Sequence, residues 1–140
     1  MYSTVEDFVS AQPADRQNVL AAVHSIIIQE DKTVLPAIET MMGKEMIIYK
    51  NRGFMKYGLG SMKAYMSLHV LPIYGSSSLY TKYKSRLSKA NFQKGCINFG
   101  SVEEMPLDIL RQLISDCSAI DLVKIREDYL REKKKNKAKK

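Results

Sequence analysis

Residues 46–70 read MIIYKNRGFMKYGLGSMKAYMSLHV, and this stretch decides the fold. It contains three short segments rich in apolar, aromatic and β-branched residues, which we predict to be strands: 46–49, 54–59 and 64–70. Turn-forming residues separate them, at 51–53 (Asn-Arg-Gly) and at 60–62 (Gly-Ser-Met). The stretch therefore predicts an antiparallel meander at the centre of the molecule.

The third predicted strand shows the clearest alternation in the chain. Its apolar positions are predicted to point toward a core: Ala64, Met66, Leu68 and Val70. The opposite face would carry Lys63, Tyr65, Ser67 and His69, with Lys56 on an adjacent strand. Aromatic rings that alternate with cations can stack on bases and neutralise phosphates, and they also suit a small anionic ligand. An ordinary half-exposed sheet face is the third interpretation of the same pattern.

Helical periodicity flanks this stretch on its N-terminal side. A capping box at Ser3 predicts a short helix to about residue 10. A second helix is predicted to begin at Pro13 and to bury Leu20, Val23 and Ile27. Residues 37–42 are interpreted as an edge strand, with a helix ended by Gly43 as the alternative.

The C-terminal half continues with helices around one more strand. The spacing of Leu79, Tyr83 and Leu87 predicts a helix whose other face carries Lys82, Arg86 and Lys89, either as a solvated face or as an anion-facing stripe. A strand at 94–99 and a helix opened by Pro106 follow. A final helix after Ser118 is expected to turn Leu122, Ile125 and Tyr129 inward and to become disordered in the basic run from Lys133.

These elements predict an α+β fold with one antiparallel sheet of four or five strands and helices packed mainly on one face. Residues 1–118 would form the domain, and residues 119–140 a C-terminal helix that runs into a disordered basic tail. The chain has 140 residues, 45% of them hydrophobic, which suits one domain with a substantial core. No apolar run approaches the roughly 20 residues that cross a bilayer.

The expected location is cytoplasmic, because the N-terminal sequence has no apolar signal region. Cys96 and Cys117 are therefore expected to be reduced thiols that act as small buried hydrophobes. The net charge of +7 is unevenly distributed. Residues 44–94 hold ten basic side chains, the single acid Glu45 and eight of the twelve aromatic residues. This imbalance predicts an anionic ligand or an acidic partner, and nucleic acid is the alternative.

The sequence contains no recognisable catalytic motif. Its two histidines, His24 and His69, have no second ligand at metal-site spacing, and His24 is expected to be packed. The segment 58–61 (Gly-Leu-Gly-Ser) lacks the lysine of a phosphate loop and is interpreted as a tight turn. A non-enzymatic binding protein is therefore the expected class.

Four segments carry a resemblance to the bacterial YdhG-like family: KAYMSL at 63–68, residues 80–87, KGCINF at 94–99 and MPLDILRQLI at 105–114. The resemblance covers about residues 5–118 and implies the same α+β fold. Some members of the family are described as frataxin-like iron chaperones that handle iron through surface carboxylates. Where many members have a Tyr-Gly-Met-Pro-like segment, this chain has Met-Gly-Lys-Glu at 42–45. The resemblance implies iron as a cargo, for which the candidate acids are Glu6, Asp7, Asp15, Glu30 and Asp31, and we select Glu6 and Asp7.

The residues that we predict to bind a ligand share basic, aromatic or hydrogen-bonding side chains on the sheet and the helix after it. They are Lys56, Lys63, Tyr65, Ser67, His69, Lys82 and Arg86.

Overall fold

The chain folds into a six-stranded antiparallel sheet with α-helices on one side. The computed structural model describes residues 2–93 and 96–138. The strands are β1 (Leu35–Met41), β2 (Lys44–Asn51), β3 (Phe54–Ser61), β4 (Met66–Val70), β5 (Asn91–Gln93) and β6 (Cys96–Phe99). The α-helices are α1 (Val5–Ser10), α2 (Ala14–Glu30), α3 (Ser77–Arg86), α4 (Leu107–Ser118) and α5 (Leu122–Ala138). Short 3₁₀ helices lie at Leu71–Gly75 and Val102–Glu104.

The sheet order is β1-β2-β3-β4-β6-β5, with every neighbouring pair antiparallel. The predicted α+β class with a single antiparallel sheet is confirmed. The sheet has one strand more than the five allowed for, because β5 is only three residues long and too short to show a period in the sequence. Residues 94 and 95, which open the predicted strand 94–99, lie outside the described part of the chain.

Two-residue turns set the register of the first two hairpins. Met42 and Gly43 connect β1 to β2 with φ of 50° and 79°, and Arg52 and Gly53 connect β2 to β3 with φ of 50° and 82°. Positive φ at both central residues is the signature of a type I′ turn, which matches the natural twist of a hairpin. Glycine at the second position makes this conformation inexpensive.

One hydrophobic core lies between the helices and a face of the sheet, which we call the inner face. Leu20, Val23 and Ile27 of α2 are buried there, as the sequence predicts. Helix α4 supplies Leu110, Leu113, Ile114 and Cys117, α3 supplies Tyr83, and the strands supply Tyr49, Tyr57, Leu59, Leu68, Ile97 and Phe99. The alternation predicted for β4 is confirmed at Met66, Leu68 and Val70, all of which are at most 1% exposed.

A β-bulge in β3 changes the side to which Lys56 points. Tyr49 pairs with Tyr57 and Lys50 pairs with Met55, so Lys56 is an extra residue on β3. An extra residue breaks the strict alternation, and two consecutive side chains then share a face. Lys56 is 2% exposed and lies with Tyr57 on the inner face. The prediction that Lys56 shares a surface with Lys63 and Tyr65 is therefore wrong.

Three local boundaries also differ from the sequence expectations. The N-cap of α1 is Thr4, whose Oγ1 accepts a hydrogen bond from the Asp7 amide at 3.0 Å, and Ser3 is not the cap. Strand β3 continues through Ser61, so the segment 58–61 is strand and not a tight turn. Strand β4 begins at Met66 and not at residue 64, which places Lys63 and Tyr65 in the preceding turn.

Helix α5 extends from Leu122 through Ala138, and the disorder expected for the basic run from Lys133 stays a prediction. Lysine, arginine and glutamate are good helix formers, and Asp128 pairs with Lys124 at 2.9 Å and with Arg131 at 3.6 Å. The expectation that Ile125 and Tyr129 face inward is wrong, since they are 56% and 63% exposed. Between residues 122 and 135 of α5, Val123 in the first turn is the one buried residue.

Candidate functional site

The outer face of the sheet, opposite the helices, has a trough along β3. Gly58 and Gly60 are the outward-facing residues there and carry no side chain. A Cβ at Gly58 would lie 2.7 Å from the terminal methyl of Met55, and one at Gly60 would lie 3.0 Å from that of Met46. Methionine side chains from neighbouring positions therefore bend over the glycines. Glycine inside a strand commonly marks a place where another group approaches the backbone closely.

A cavity of about 500 Å³ opens beside this trough, and we call it the outer-face pocket. Its residues come from β1, β2, β4, β5 and β6, from the turns that join strands, and from the 3₁₀ helix Leu71–Gly75. They are Met41, Met42, Lys44, Met46, Met62, Tyr65, Ser67, His69, Tyr74, Gln93, Cys96 and Asn98. The volume is within the range of small-molecule sites, and the lining combines apolar surface with a few polar groups.

Three of the predicted ligand-binding residues meet in this pocket. Tyr65, Ser67 and His69 line it together, which is the grouping that the alternation of β4 predicts. Lys63 is exposed in the turn before β4 and is not among the lining residues.

Lys82 and Arg86 lie elsewhere, on α3, and both contact α4. Lys82 Nζ is 2.9 Å from Asp116 Oδ2, and the Arg86 guanidinium donates to the Gln112 side chain. Asp116 also accepts a hydrogen bond of 2.5 Å from the Tyr83 hydroxyl. The hydrogen bonds from Tyr83 and Lys82 lower the pKa of Asp116, so it stays ionised as their partner. The stripe on α3 therefore belongs to a helix–helix contact.

The buried ammonium of Lys56 is paired on the inner face. Lys56 Nζ lies 2.8 Å from Asp31 Oδ2 in an ion pair, although without the geometry of a regular hydrogen bond. Asp31, which is 0% exposed, also accepts from the Tyr57 hydroxyl at 2.7 Å and from the Thr33 amide at 3.0 Å. Burial alone would raise the pKa of Asp31, but the adjacent Lys56 ammonium and the hydrogen bonds from Thr33 and Tyr57 together lower it. This pair is part of the folded core and is closed to a ligand.

His69 and Cys96 are cross-strand neighbours at the floor of the outer-face pocket. Their Nε2 and Sγ atoms are 3.8 Å apart, and the thiol also donates to Asn98 Oδ1 at 3.3 Å. Burial raises the pKa of Cys96 and lowers the pKa of His69. Both groups are therefore held in their neutral forms at physiological pH.

Ser67 is a buried polar residue of the pocket that lacks a partner. It is 2% exposed, and its hydroxyl has no hydrogen-bond partner among the described residues. A buried hydroxyl without a partner costs about 1–3 kcal/mol. A ligand that reached Ser67 would recover part of that free energy.

The turn that places Tyr65 at the pocket is held by an arginine from the helical layer. Arg16 of α2 donates to Ser61 Oγ at 2.9 Å and to the Met62 carbonyl at 2.5 Å. The Met62 amide in turn donates to the Tyr65 carbonyl at 2.7 Å. These hydrogen bonds connect the rim of the outer-face pocket to α2, which packs on the opposite, inner face of the sheet.

The acids selected for iron are not part of a metal cluster. Glu6 is exposed on α1, while the Asp7 carboxylate accepts from the Ser3 hydroxyl at 3.2 Å. Within residues 2–93 and 96–138, no group of three or more histidine, cysteine, aspartate or glutamate side chains has the geometry to hold a metal ion.

Several residues of the outer-face pocket and of the trough beside it are absent from the sequence prediction: the methionines, Lys44, Cys96 and Asn98 of the pocket, and the two glycines of the trough. The sequence feature that could have indicated the trough is the Gly-x-Gly spacing at 58–60, because glycines inside a strand often mark a place where another group approaches the backbone. The described part of the chain also contains no helix long and apolar enough to span a membrane. Comparison with known proteins gives no match, whether to a family model, a curated protein or a solved structure.

Proposed function

We propose that this protein is a non-enzymatic binding protein whose outer-face pocket takes a small anionic ligand with an apolar body. The observation that carries the proposal is the composition of the pocket. Its described lining residues include methionine, tyrosine and histidine side chains, one lysine and no carboxylate. An anion would meet no repulsive group there, and an apolar body would be buried against thioethers and rings.

The polar groups of the pocket would contact different parts of the ligand. Lys44 is exposed and would pair with the anionic end of the ligand at the rim. Ser67 and Asn98, on neighbouring strands, would hydrogen-bond a polar group that reaches the floor. Methionine side chains have three rotatable bonds, so the trough can adapt to ligands of different shape.

The nucleic-acid alternative has less support. It would use Tyr65, Lys63 and the basic C-terminal segment, with Lys82 and Arg86 as further phosphate contacts. Lys82 and Arg86 are engaged with α4. The remaining basic groups on α5 would give salt-sensitive, sequence-independent attraction to any polyanion. The iron-handling role implied by the YdhG-like resemblance stays a proposal based on Glu6 and Asp7 alone.

The experiment uses the dye 8-anilinonaphthalene-1-sulfonate, which is apolar and anionic, at pH 7 with the full chain. We expect saturable fluorescence enhancement with one site per chain. Gly60→Val fills the trough and should abolish binding, while Lys44→Ala should weaken it about two- to fivefold, the value of an exposed ion pair. Lys82→Ala is the matched control and should bind like the wild type.

Folding of each variant is checked by near-ultraviolet circular dichroism, since the dye also binds partly unfolded proteins. Equal dye binding by the wild type and by folded Gly60→Val would refute the proposal. A loss of binding in Lys82→Ala that matches the loss in Lys44→Ala would show that general positive charge, and not the pocket, attracts the dye.

A further inference from the structure

A second cavity lies beside the outer-face pocket, at the β5 edge of the sheet, and we call it the edge pocket. Its volume is about 350 Å³. Tyr65, Gln93 and Asn98 line both cavities, so the two are neighbours on the same face of the sheet. The further residues of the edge pocket are Lys89, Asn91, Gly100 and Glu104. A ligand that fills the outer-face pocket can therefore extend past Tyr65 into the edge pocket.

The strand register places the two cavities in one line across the sheet. Ser67 of β4 pairs with Asn98 of β6, and Asn98 pairs with Asn91 of β5. Side chains of one such row point to the same face, so the floor of the outer-face pocket continues to the edge strand. Lys44 is on β2, and neighbouring strands are about 4.8 Å apart, so about 19 Å separates β2 from β5. The combined cleft is long enough for a ligand made of two linked ring systems.

The edge pocket differs from the outer-face pocket in being lined by polar side chains. Its described lining consists of a phenol, an ammonium, three amides, a carboxylate and the backbone of Gly100, whereas the outer-face pocket has four methionines. In the edge pocket Glu104 would repel an anionic group and Lys89 would repel a cationic group. An apolar group would desolvate the amides without replacing their hydrogen bonds. A neutral group with several hydroxyls meets none of these costs.

Two hydrogen bonds hold polar groups in place around the edge pocket. Glu104 Oε2 accepts from the Gly100 amide at 2.9 Å, which occupies one of the two carboxylate oxygens. A Cβ at position 100 would lie 3.3 Å from Glu104 Oε2, so glycine there lets the carboxylate lie close to the backbone. The Asn98 side-chain nitrogen donates to Gln93 Oε1 at 3.4 Å. Because these groups are already held in the free protein, a ligand would lose less free energy in ordering them.

We propose that the edge pocket binds a sugar ring, so that the ligand of this protein is a glycoside of an apolar acid. The proposal rests on the proposed function, because the acid part of the ligand would occupy the outer-face pocket. A sugar hydroxyl both donates and accepts hydrogen bonds, so Glu104 serves as its acceptor and Lys89 as its donor. The C–H face of a sugar ring packs on the negative face of an aromatic ring. Tyr65, which is 38% exposed and lines both cavities, offers such a face.

The experiment is a ¹⁵N nuclear magnetic resonance titration of the full chain with two compounds. These are 4-hydroxybenzoate and 4-carboxyphenyl β-D-glucopyranoside, which is the same acid with a sugar attached. The wild type should bind the glucoside at least about fivefold more tightly, and only the glucoside should shift the side-chain amide signal of Asn91. Asn91→Ala and Lys89→Ala should each bind the glucoside about two- to tenfold more weakly, the value of one hydrogen bond, and should bind 4-hydroxybenzoate like the wild type. Lys82→Ala is the matched control and should leave both affinities unchanged.

Equal affinities of the wild type for the two compounds, or no binding of the glucoside, would overturn the sugar proposal. A third compound, 4-carboxy-L-phenylalanine, joins a benzoate ring to a zwitterion. If it gained as much affinity over 4-hydroxybenzoate as the glucoside does, the edge pocket would recognise paired charges and not a sugar. The two proposals fail separately, because the anionic dye reports on the outer-face pocket alone. Dye binding without any advantage of the glucoside refutes only the sugar proposal, whereas no binding of dye or of 4-hydroxybenzoate refutes the proposed function.

Discussion

The buried pair of Lys56 and Asp31 allows a quantitative prediction. Asp31→Ala removes the carboxylate that pairs with a buried ammonium, and an orphaned buried charge costs about 3–5 kcal/mol. The Tyr57 hydroxyl and the Thr33 amide lose their acceptor as well. We therefore expect Asp31→Ala to lower the free energy of unfolding by about 5 kcal/mol, a large part of the total for a single domain.

Replacement of the other partner, Lys56, should lower the free energy of unfolding much less than Asp31→Ala does. In Lys56→Met the Asp31 carboxylate still accepts from Tyr57 at 2.7 Å, from the Thr33 amide at 3.0 Å and from the Thr33 hydroxyl at 2.5 Å. Methionine also fills most of the volume of the lysine stem. We expect a loss of about 1–2 kcal/mol. The double variant contains no buried charge, so its loss should be about 3 kcal/mol smaller than the sum of the single losses.

The assay is equilibrium urea unfolding at pH 7, followed by far-ultraviolet circular dichroism. The matched control is the surface pair of Lys50 and Glu39, in which the two side chains are 36% and 39% exposed. Lys50→Met should cost less than about 1 kcal/mol. Equal losses in Asp31→Ala and Lys56→Met, with an additive double variant, would show that the two charges are not coupled and that the reasoning fails.

Two further predictions concern pH and the attachment of α5. Burial lowers the pKa of both His24 and His69 below 6.5 in the folded state, so the unfolded chain binds protons more readily. Stability should be complete above pH 6.5 and should fall as the pH drops below it, by at most about 1.4 kcal/mol per pH unit for each histidine. Urea midpoints between pH 5 and 7 test this, and an equally steep slope in His24→Gln would contradict the assignment for His24. Arg52 pairs with Asp121 at 2.8 Å where both are about half exposed, so Arg52→Ala should change the free energy of unfolding by less than about 1 kcal/mol. Hydrogen exchange should nevertheless become faster in α5, and unchanged exchange there would show that this pair does not hold the helix.

Most of the fold could be predicted from the sequence, because the spacing of apolar residues indicates which side chains of a helix or strand are buried together. Leu20, Val23 and Ile27 on α2 and Met66, Leu68 and Val70 on β4 are buried as their spacing predicts. Ile125 and Tyr129 have the same spacing but are exposed, because a pattern records which residues share a face and not whether a partner covers that face.

The candidate site was predicted only in part, because the pattern of one strand or helix does not show which neighbouring elements it contacts. Ser67 and His69 lie on the regular strand β4 and Tyr65 lies in the turn directly before it, and the outer-face pocket contains all three. Lys56 is the extra residue of a bulge, and such a residue cannot be recognised from the alternation of one strand until the pairing of both strands is known. The spacing of Lys82 and Arg86 is compatible both with a solvent-exposed helix face and with a contact to another helix. In the structure they contact Asp116 and Gln112 of α4.

The methionines around the outer-face pocket also make its polarity sensitive to oxidants. Oxidation converts a thioether into a polar, chiral sulfoxide, and enzymes can reverse the reaction. Met42 is 85% exposed and Met46 only 1%, so the rim should oxidise well before the floor. Peptide mass spectrometry after graded peroxide treatment would contradict this order if Met46 reacted first. A partly oxidised chain would thus keep an apolar floor under a polar entrance, and its preference among ligands would change without any change in sequence.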